Sequence, residues 1–295
     1  MQAPWMAHAA LLVVNVIYAV NYLVAKGLMP HYLQPSAFIV LRVVFTAWLA
    51  GFIWLLGGPQ KIHRPDWGRF FLCAVTGVMV NQLLFFEGLS RTTPAHAAVI
   101  FTCNPALTLL ASWLLVRERI GRLQGLGLFL SLAGALSLTL IRNGKLDFGS
   151  EYSVGNFMVW VNALSYAFYL PLVKPLLQRY APITVLTVNF FLGQFLVLPF
   201  GYRDLLGTNF SEFTWAVWAQ VFFVLFAVTF VTYLLSIYGL RRLSPFTVSM
   251  YVYLQPLLAT ALDILLRSYV PNLGFIIAAG ALLIGMWLVV RRAPT

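Results

Sequence analysis

Ten apolar stretches of close to 20 residues, separated by short polar breaks, dominate the pattern along the chain. They lie at 7–27, 35–57, 67–89, 93–115, 122–141, 153–174, 182–201, 215–238, 245–266 and 272–290. A helix needs roughly 20 apolar residues to cross a hydrocarbon core of about 30 Å, so each stretch predicts one spanning helix. No polar break is long enough to house a soluble domain. The expected fold is an all-α integral membrane protein with ten transmembrane helices.

The pattern also repeats. Gly88-Leu89-Ser90-Arg91-Thr92-Thr93-Pro94 returns as Gly239-Leu240-Arg241-Arg242-Leu243-Ser244-Pro245, and adding 151 carries Trp67 onto Trp218, Pro105 onto Pro256 and Gly134 onto Gly285. Upstream the offset is 147, which takes Asn15 to Asn162, Tyr22 to Tyr169 and Pro35 to Pro182; the slip of four falls in the polar loops near Gly58 and Gly207. Two homologous halves, 1–145 and 146–295, account for this. Each holds five spans. Five is odd, so the second half is expected to enter the membrane from the opposite side, as an inverted repeat.

Composition agrees with the pattern and then adds orientation. Of 295 residues, 61% are hydrophobic and only 9% charged, with a mean hydropathy of +0.86, which no soluble surface tolerates. With the N-terminus inside, twelve Lys and Arg fall at inner helix ends and six at outer ones, leaving aside Arg42 within helix 2. The positive-inside rule then places both termini in the cytoplasm of a multi-pass protein of the cytoplasmic (inner) membrane. The net charge of +11 is scattered singly through short loops. It reads as topology signals and anionic-lipid contacts, not as a nucleic-acid face. The first stretch lacks a basic leader and is too long for a signal peptide, so it is expected to remain as a helix. Cys73 and Cys103 lie inside spans and read as small apolar filler.

Three classes fit a protein of this kind: a transporter, a membrane enzyme, and a scaffold or receptor. The chain has no phosphate-binding Gly-x-x-x-x-Gly-Lys-Ser/Thr loop, no His-Glu-x-x-His, and no paired aspartates for a metal-bound diphosphate. No catalytic residue, metal or cofactor is therefore expected. Inverted halves without a soluble domain suit a secondary carrier, because they can rock about a central site.

Asn21-Tyr22-Leu23-Val24-Ala25-Lys26, Pro35 and Arg42, then Gly88-Leu89, Thr93-Pro94-Ala95-His96-Ala97-Ala98, Pro105, Glu118 and Gln124 with Gly127 and Gly134 run in order along the chain. In this set the chain resembles EamA-type members of the drug/metabolite transporter superfamily. It departs from them at Tyr18-Ala19, where Trp-Gly is common, and at Tyr269, the counterpart of Glu118. The resemblance implies a carrier of small organic metabolites working by alternating access, with export of amino acids or related amphipathic compounds as the leading activity. An exchanger of phosphorylated metabolites or nucleotide-sugar-like anions is the alternative, followed by a non-transporting enzyme or scaffold.

Residues for substrate binding or gating come from polar positions inside spans. Asn15, Tyr18, Tyr22 and Lys26 follow helical spacing on helix 1, and Asn162, Ser165, Tyr166 and Tyr169 mirror them on helix 6. Interhelical hydrogen bonding is the other use such residues have. Arg42 stands about seven residues inside helix 2, where a charge must face a cavity or a partner. Glu87 is the available partner, within an outer charged cluster containing Lys26, Arg91 and His96, but Glu87 and Arg91, four apart in the favourable order, read first as an ordinary local pair. The repeat maps Arg42 to Asn189, Glu87 to Tyr238 and His96 to Thr247, which predicts an ionic outer gate and an uncharged, partly aromatic inner one. His96 can titrate and couple transport to protons, or simply bond at a helix end. Pro105 and Pro256, preceded by Asn104 and Gln255, predict kinks at the cavity wall. The glycines Gly121, Gly125, Gly127, Gly134, Gly274, Gly280 and Gly285 predict that helices 5 and 10 pack closely against the bundle or a second protomer. Helices 1–4 and 6–9 are then left to enclose the cavity. The expected partners are a small-molecule substrate, the lipid bilayer and a second copy of the chain.

Overall fold

The computed structural model describes residues 5–28, 32–143, 150–265 and 272–291. Among the described residues there is no strand. The helices are α1 (Trp5–Leu28), α2 (Pro35–Leu56), α3 (Arg64–Ser90), α4 (Pro94–Phe101 and Asn104–Val116) and α5 (Arg122–Asn143). After them come α6 (Ser153–Arg179), α7 (Pro182–Leu206), α8 (Trp215–Arg242), α9 (Pro245–Met250, Tyr251–Tyr253 and Leu254–Leu265) and α10 (Leu273–Val290). Among the described residues, eight helices are long and apolar enough to cross a membrane, with a shorter apolar stretch at Trp5–Asn21.

The radial distribution of polarity is that of a chain dissolved in lipid. Trp48, Phe52, Trp113, Phe129, Phe195, Ile276, Ile277 and Trp287 are exposed, whereas Arg42, Gln82, Asn104, Asn162, Asn189 and Gln194 are buried. Hydrocarbon offers no hydrogen bonds, so side-chain amides turn inward and apolar side chains outward.

Prolines start helices more often than they bend them here. Pro35, Pro94, Pro105, Pro182 and Pro245 each sit in a first turn, where the missing N–H has no intrahelical partner to lose. Pro105 therefore does not kink one continuous helix. It opens the second segment of α4 after a turn at Thr102 and Cys103, and Tyr253 Oη donates to the Thr102 carbonyl at 2.9 Å. Its counterpart Pro256 likewise stands in the first turn of the last α9 segment, directly after the tighter turn at Tyr251–Tyr253.

Two helix pairs form the tightest seams. In α5 and α10, a Cβ on Gly127 would lie 2.6 Å from the Gly285 carbonyl, and one on Gly134 would lie 2.6 Å from the Ala278 carbonyl. The Ser131 hydroxyl donates to the Leu282 carbonyl between them. Rising numbers on one helix meet falling numbers on the other, so the pair is antiparallel. The same holds for α2 and α7, where Ser36 donates to Asp204 and a Cβ on Gly51 would meet Thr187. Of the seven glycines expected to make contacts, only Gly127, Gly134 and Gly285 do so closely; a Cβ on Gly121, Gly125, Gly274 or Gly280 would meet nothing nearer than 3.4 Å. The contacting glycines are used inside the chain, between repeat-related helices.

A polar latch that the sequence does not reveal ties the start of α3 to the link between α6 and α7. Arg179 Nη1 and Tyr180 Oη each donate to Asp66 at 2.8 Å, the His63 N–H donates to Tyr180 Oη at 3.0 Å, and Gln60 Oε1 accepts from the Ala181 N–H at 2.8 Å. Burial holds the Tyr180 hydroxyl above its usual range, in keeping with its role as a donor to Asp66. Asp66→Ala deprives a buried donor of its acceptor and is expected to cost about 1–3 kcal/mol. Arg179 is 64% exposed, so Arg179→Ala should cost under about 1 kcal/mol. Thermal unfolding in detergent measures both, and equal losses would contradict this assignment.

Candidate functional site

Both α3 and α8 contain a π-helical segment, Val75–Val80 and Val224–Val231. The two are related by the repeat, since 80 plus 151 is 231. A π turn shifts the backbone bonding register and leaves carbonyls that need other donors. In α3 they come from α6, Ser165 Oγ to the Thr76 carbonyl at 2.7 Å and Asn162 Nδ2 to the Asn81 carbonyl, with Tyr233 of α8 donating to the Gly77 carbonyl at 3.4 Å and Thr76 of α3 itself to the Leu72 carbonyl at 2.7 Å. In α8 they come from its own threonines, Thr229 to the Val224 carbonyl at 2.9 Å and Thr232 to the Val228 carbonyl at 2.6 Å. Gly77, within the α3 segment, lets the Tyr169 ring lie directly on that backbone.

Around these segments the helices enclose a cavity of about 1160 Å³, counting its open mouth. Its wall contains Tyr18 and Asn21 from α1, Arg42 from α2, and Asn81, Gln82, Phe85 and Phe86 from α3. Phe101 and Asn104 come from α4, Asn162, Tyr166 and Tyr169 from α6, Tyr233 and Ser236 from α8, and Gln255 from α9. Among the described residues α5, α7 and α10 contribute nothing to the lining. That corrects the place expected for α7, which lies along α2 and keeps Asn189 buried outside the lining.

Arg42 is 7% exposed. Its Nε donates to Thr229 Oγ1 at 2.8 Å, and its guanidinium carbon stands 5.0 Å from the centre of the Phe86 ring and 5.9 Å from that of Phe38. Of the two partners open to Glu87, Arg42 and Arg91, the structure shows the local pair with Arg91 one turn on, at 3.5 Å and partly in the open. A carboxylate at the rim gains more from solvent and a local partner than from joining a buried guanidinium.

The structure brings seven of the sequence-derived candidates together in the cavity wall: Tyr18, Arg42, Asn104, Asn162, Tyr166, Tyr169 and Gln255. The side chains of Tyr22 and Lys26 lie outside the described residues. Asn15, Glu87, His96 and Tyr238 stand elsewhere. Asn15 is buried and donates to the Leu11 carbonyl of its own helix at 2.8 Å. His96 is buried beside the Tyr152 ring at 5.1 Å and bonds Thr92 at 3.2 Å, within a helix-start network that also holds Asn156. Tyr238 lies in the last turns of α8, its ring 4.0 Å from the guanidinium of Arg242. Because Glu87 and Arg91 map onto Tyr238 and Arg242, the repeat-related pairs are ionic in α3 and cation–π in α8. Neither pair lines the cavity.

Asn21 enters the sequence pattern only as the first residue of the family-like run on helix 1, and Asn81, Gln82, Phe85, Phe86, Phe101, Tyr233 and Ser236 are not singled out at all. A signal exists for three of them. Asn81-Gln82 interrupts an apolar run, and adding 151 gives Thr232-Tyr233, polar again; in the fold Gln82 Nε2 reaches Tyr233 Oη at 3.4 Å.

The chain matches the EamA-like transporter family over residues 5–140 and 153–291. A WAT1-related protein of Arabidopsis thaliana is 31% identical over 149 residues, which are 46% of this chain and 40% of that one. An uncharacterized transporter of Archaeoglobus fulgidus is 25% identical over 237 residues, covering 79% of this chain and 78% of its own. A second Arabidopsis WAT1-related protein is 26% identical, with 85% and 74% covered. One solved crystal structure superposes with a TM-score of 0.79 over 97% of both chains at 18% identity, a likeness of fold.

Proposed function

Because the chain belongs to the EamA-like transporter family and is a multi-pass membrane transporter, we propose that it is a secondary carrier of small organic metabolites. Amino acids and related amphipathic compounds are the substrates we assign, and export is the direction the family resemblance implies. The observation that carries this reading is the cavity: aromatic rings, amides and one guanidinium from seven helices, in the interior of an apolar bundle. Pockets for organic ligands have this composition, with an apolar wall and a few polar groups that orient the solute.

Alternating access is the mechanism that suits it, with residues 1–145 and 146–295 as two inverted five-helix halves in the cytoplasmic membrane and both termini in the cytoplasm. Three observations support the halves. The family matches in two successive stretches, repeat-related α2 and α7 pack antiparallel, as do α5 and α10, and the π segments recur at equivalent positions. Antiparallel counterparts are what a two-fold axis in the membrane plane generates. Purified protein in proteoliposomes should show saturable counterflow of at least one member of a panel of amino acids, nucleosides, sugars, phosphate esters and cationic drugs. Flux no greater than in protein-free liposomes for every member would overturn the proposal.

A further inference from the structure

The cavity carries a charge that none of the described residues balances. Arg42 is the one charged residue among the described residues of its wall, and no Asp, Glu or His lines it there. Nε is held by Thr229. No described residue bonds Nη1 or Nη2, and among the described residues no carboxylate lies within ion-pair distance. A guanidinium in low dielectric requires a counter-charge, and its paired terminal nitrogens match the two oxygens of a carboxylate.

The cavity also holds acceptors without donors. Asn21 Oδ1, Gln82 Oε1 and Asn162 Oδ1 are buried without a hydrogen-bond partner, and all three residues are in the wall. Such oxygens are costly unless a bound solute supplies N–H or O–H groups. The remaining wall is largely aromatic, with Phe85, Phe86, Phe101, Tyr166 and Tyr169. Lys174, in the last turns of α6, is engaged elsewhere: its ammonium donates to the Leu240 carbonyl and, at 2.7 Å, to the Leu243 carbonyl, capping the end of α8.

Resting on the carrier reading above, we propose that Arg42 is a carboxylate anchor. The solute is a small organic acid with a single carboxylate, an apolar or aromatic body, and N–H or O–H donors for the amide oxygens. A phosphate ester brings about 1.5 to 2 negative charges. One guanidinium leaves part of that charge unmatched, and a purely cationic solute meets repulsion.

Four probes with one aromatic body test this: L-phenylalanine, 3-phenylpropionate, L-phenylalaninamide and 2-phenylethyl phosphate. Binding to the detergent-solubilised full chain is read by ligand-induced thermal shift and by titration. Phenylalanine should bind most tightly and 3-phenylpropionate within roughly tenfold of it, with the amide and the phosphate ester roughly 30-fold weaker or more. Arg42→Gln should weaken the two carboxylates by a similar factor without weakening the amide, which loses only a repulsion. Arg42→Lys, which keeps the charge and loses the fork, should fall between. The wild-type comparison of acid with amide stands even if a variant does not fold. Equal affinity for acid and amide, preference for the phosphate ester, absence of binding by all four, or carboxylate binding unaltered in Arg42→Gln would each overturn the anchor. Counterflow of some other solute alongside such a result would leave the carrier reading intact, whereas no counterflow across the wider panel would remove that reading itself.

Discussion

Valine in place of Gly77 is expected to reduce transport by roughly tenfold or more, because misplacing a cavity wall by about 1 Å is enough for losses of that size. A Cβ at this position would stand 2.5 Å from Tyr169 Cε2 and 2.8 Å from Cγ. These are atoms of the ring itself, so the conflict cannot be relieved by a flexible chain end. Tyr169 is buried in the cavity wall. Either its ring leaves that wall or α3 separates from α6, and the second response breaks the bonds from Ser165 and Asn162 that satisfy the π segment. Overpacking of this kind also costs about 3 kcal/mol of stability. Counterflow and thermal unfolding should be compared with Gly68→Ala, where a Cβ meets nothing within 4 Å. Wild-type flux in a folded Gly77→Val protein would show that the Tyr169 wall is not part of the transport path.

Gly285→Val should be the most destabilising change at the seam between α5 and α10. The added Cβ would lie 2.5 Å from the Gly127 carbonyl and 2.6 Å from the Ser131 N–H nitrogen, both backbone atoms that move only with the whole of α5. The expected loss is about 3 kcal/mol, read as a lower unfolding temperature in detergent. Gly280 is five residues away on the same helix, and a Cβ there meets nothing within 4 Å. Gly280→Ala should therefore change stability by less than about 0.5 kcal/mol. Equal destabilisation by the two changes would mean that α10 does not pack on α5 through the Gly285 face.

The contrast between these glycines marks the reach of a one-dimensional pattern. Seven small residues on helices 5 and 10 predict close packing, but spacing along one helix does not say which side meets a neighbour. Three make the contact, and the partner is the repeat-related helix of the same chain. Likewise, Arg42 is legible as a buried charge requiring a partner, yet its nearest carboxylate by simple depth, Glu87, pairs at the rim. Depth counted at 1.5 Å per residue fixes position along the membrane normal and says little about azimuth. The π segments in α3 and α8 rotate the helical turns beyond them, which is how Asn81, Gln82 and Tyr233 reach the cavity without a regular helical period to announce them.

Hydrophobic run length is sufficient to establish a helical membrane protein, and the self-similarity of the chain is sufficient to establish repeat-related segments. Both depend on composition and order, which folding does not alter. Tertiary structure decided which polar residues face a shared space. Asn15 and Asn162 are equivalent in sequence, but one bonds its own helix while the other reaches across to α3. Only the packed arrangement of neighbouring helices separates those two outcomes, because in hydrocarbon each amide donates to a carbonyl within its reach, and the sequence does not say which helix supplies it.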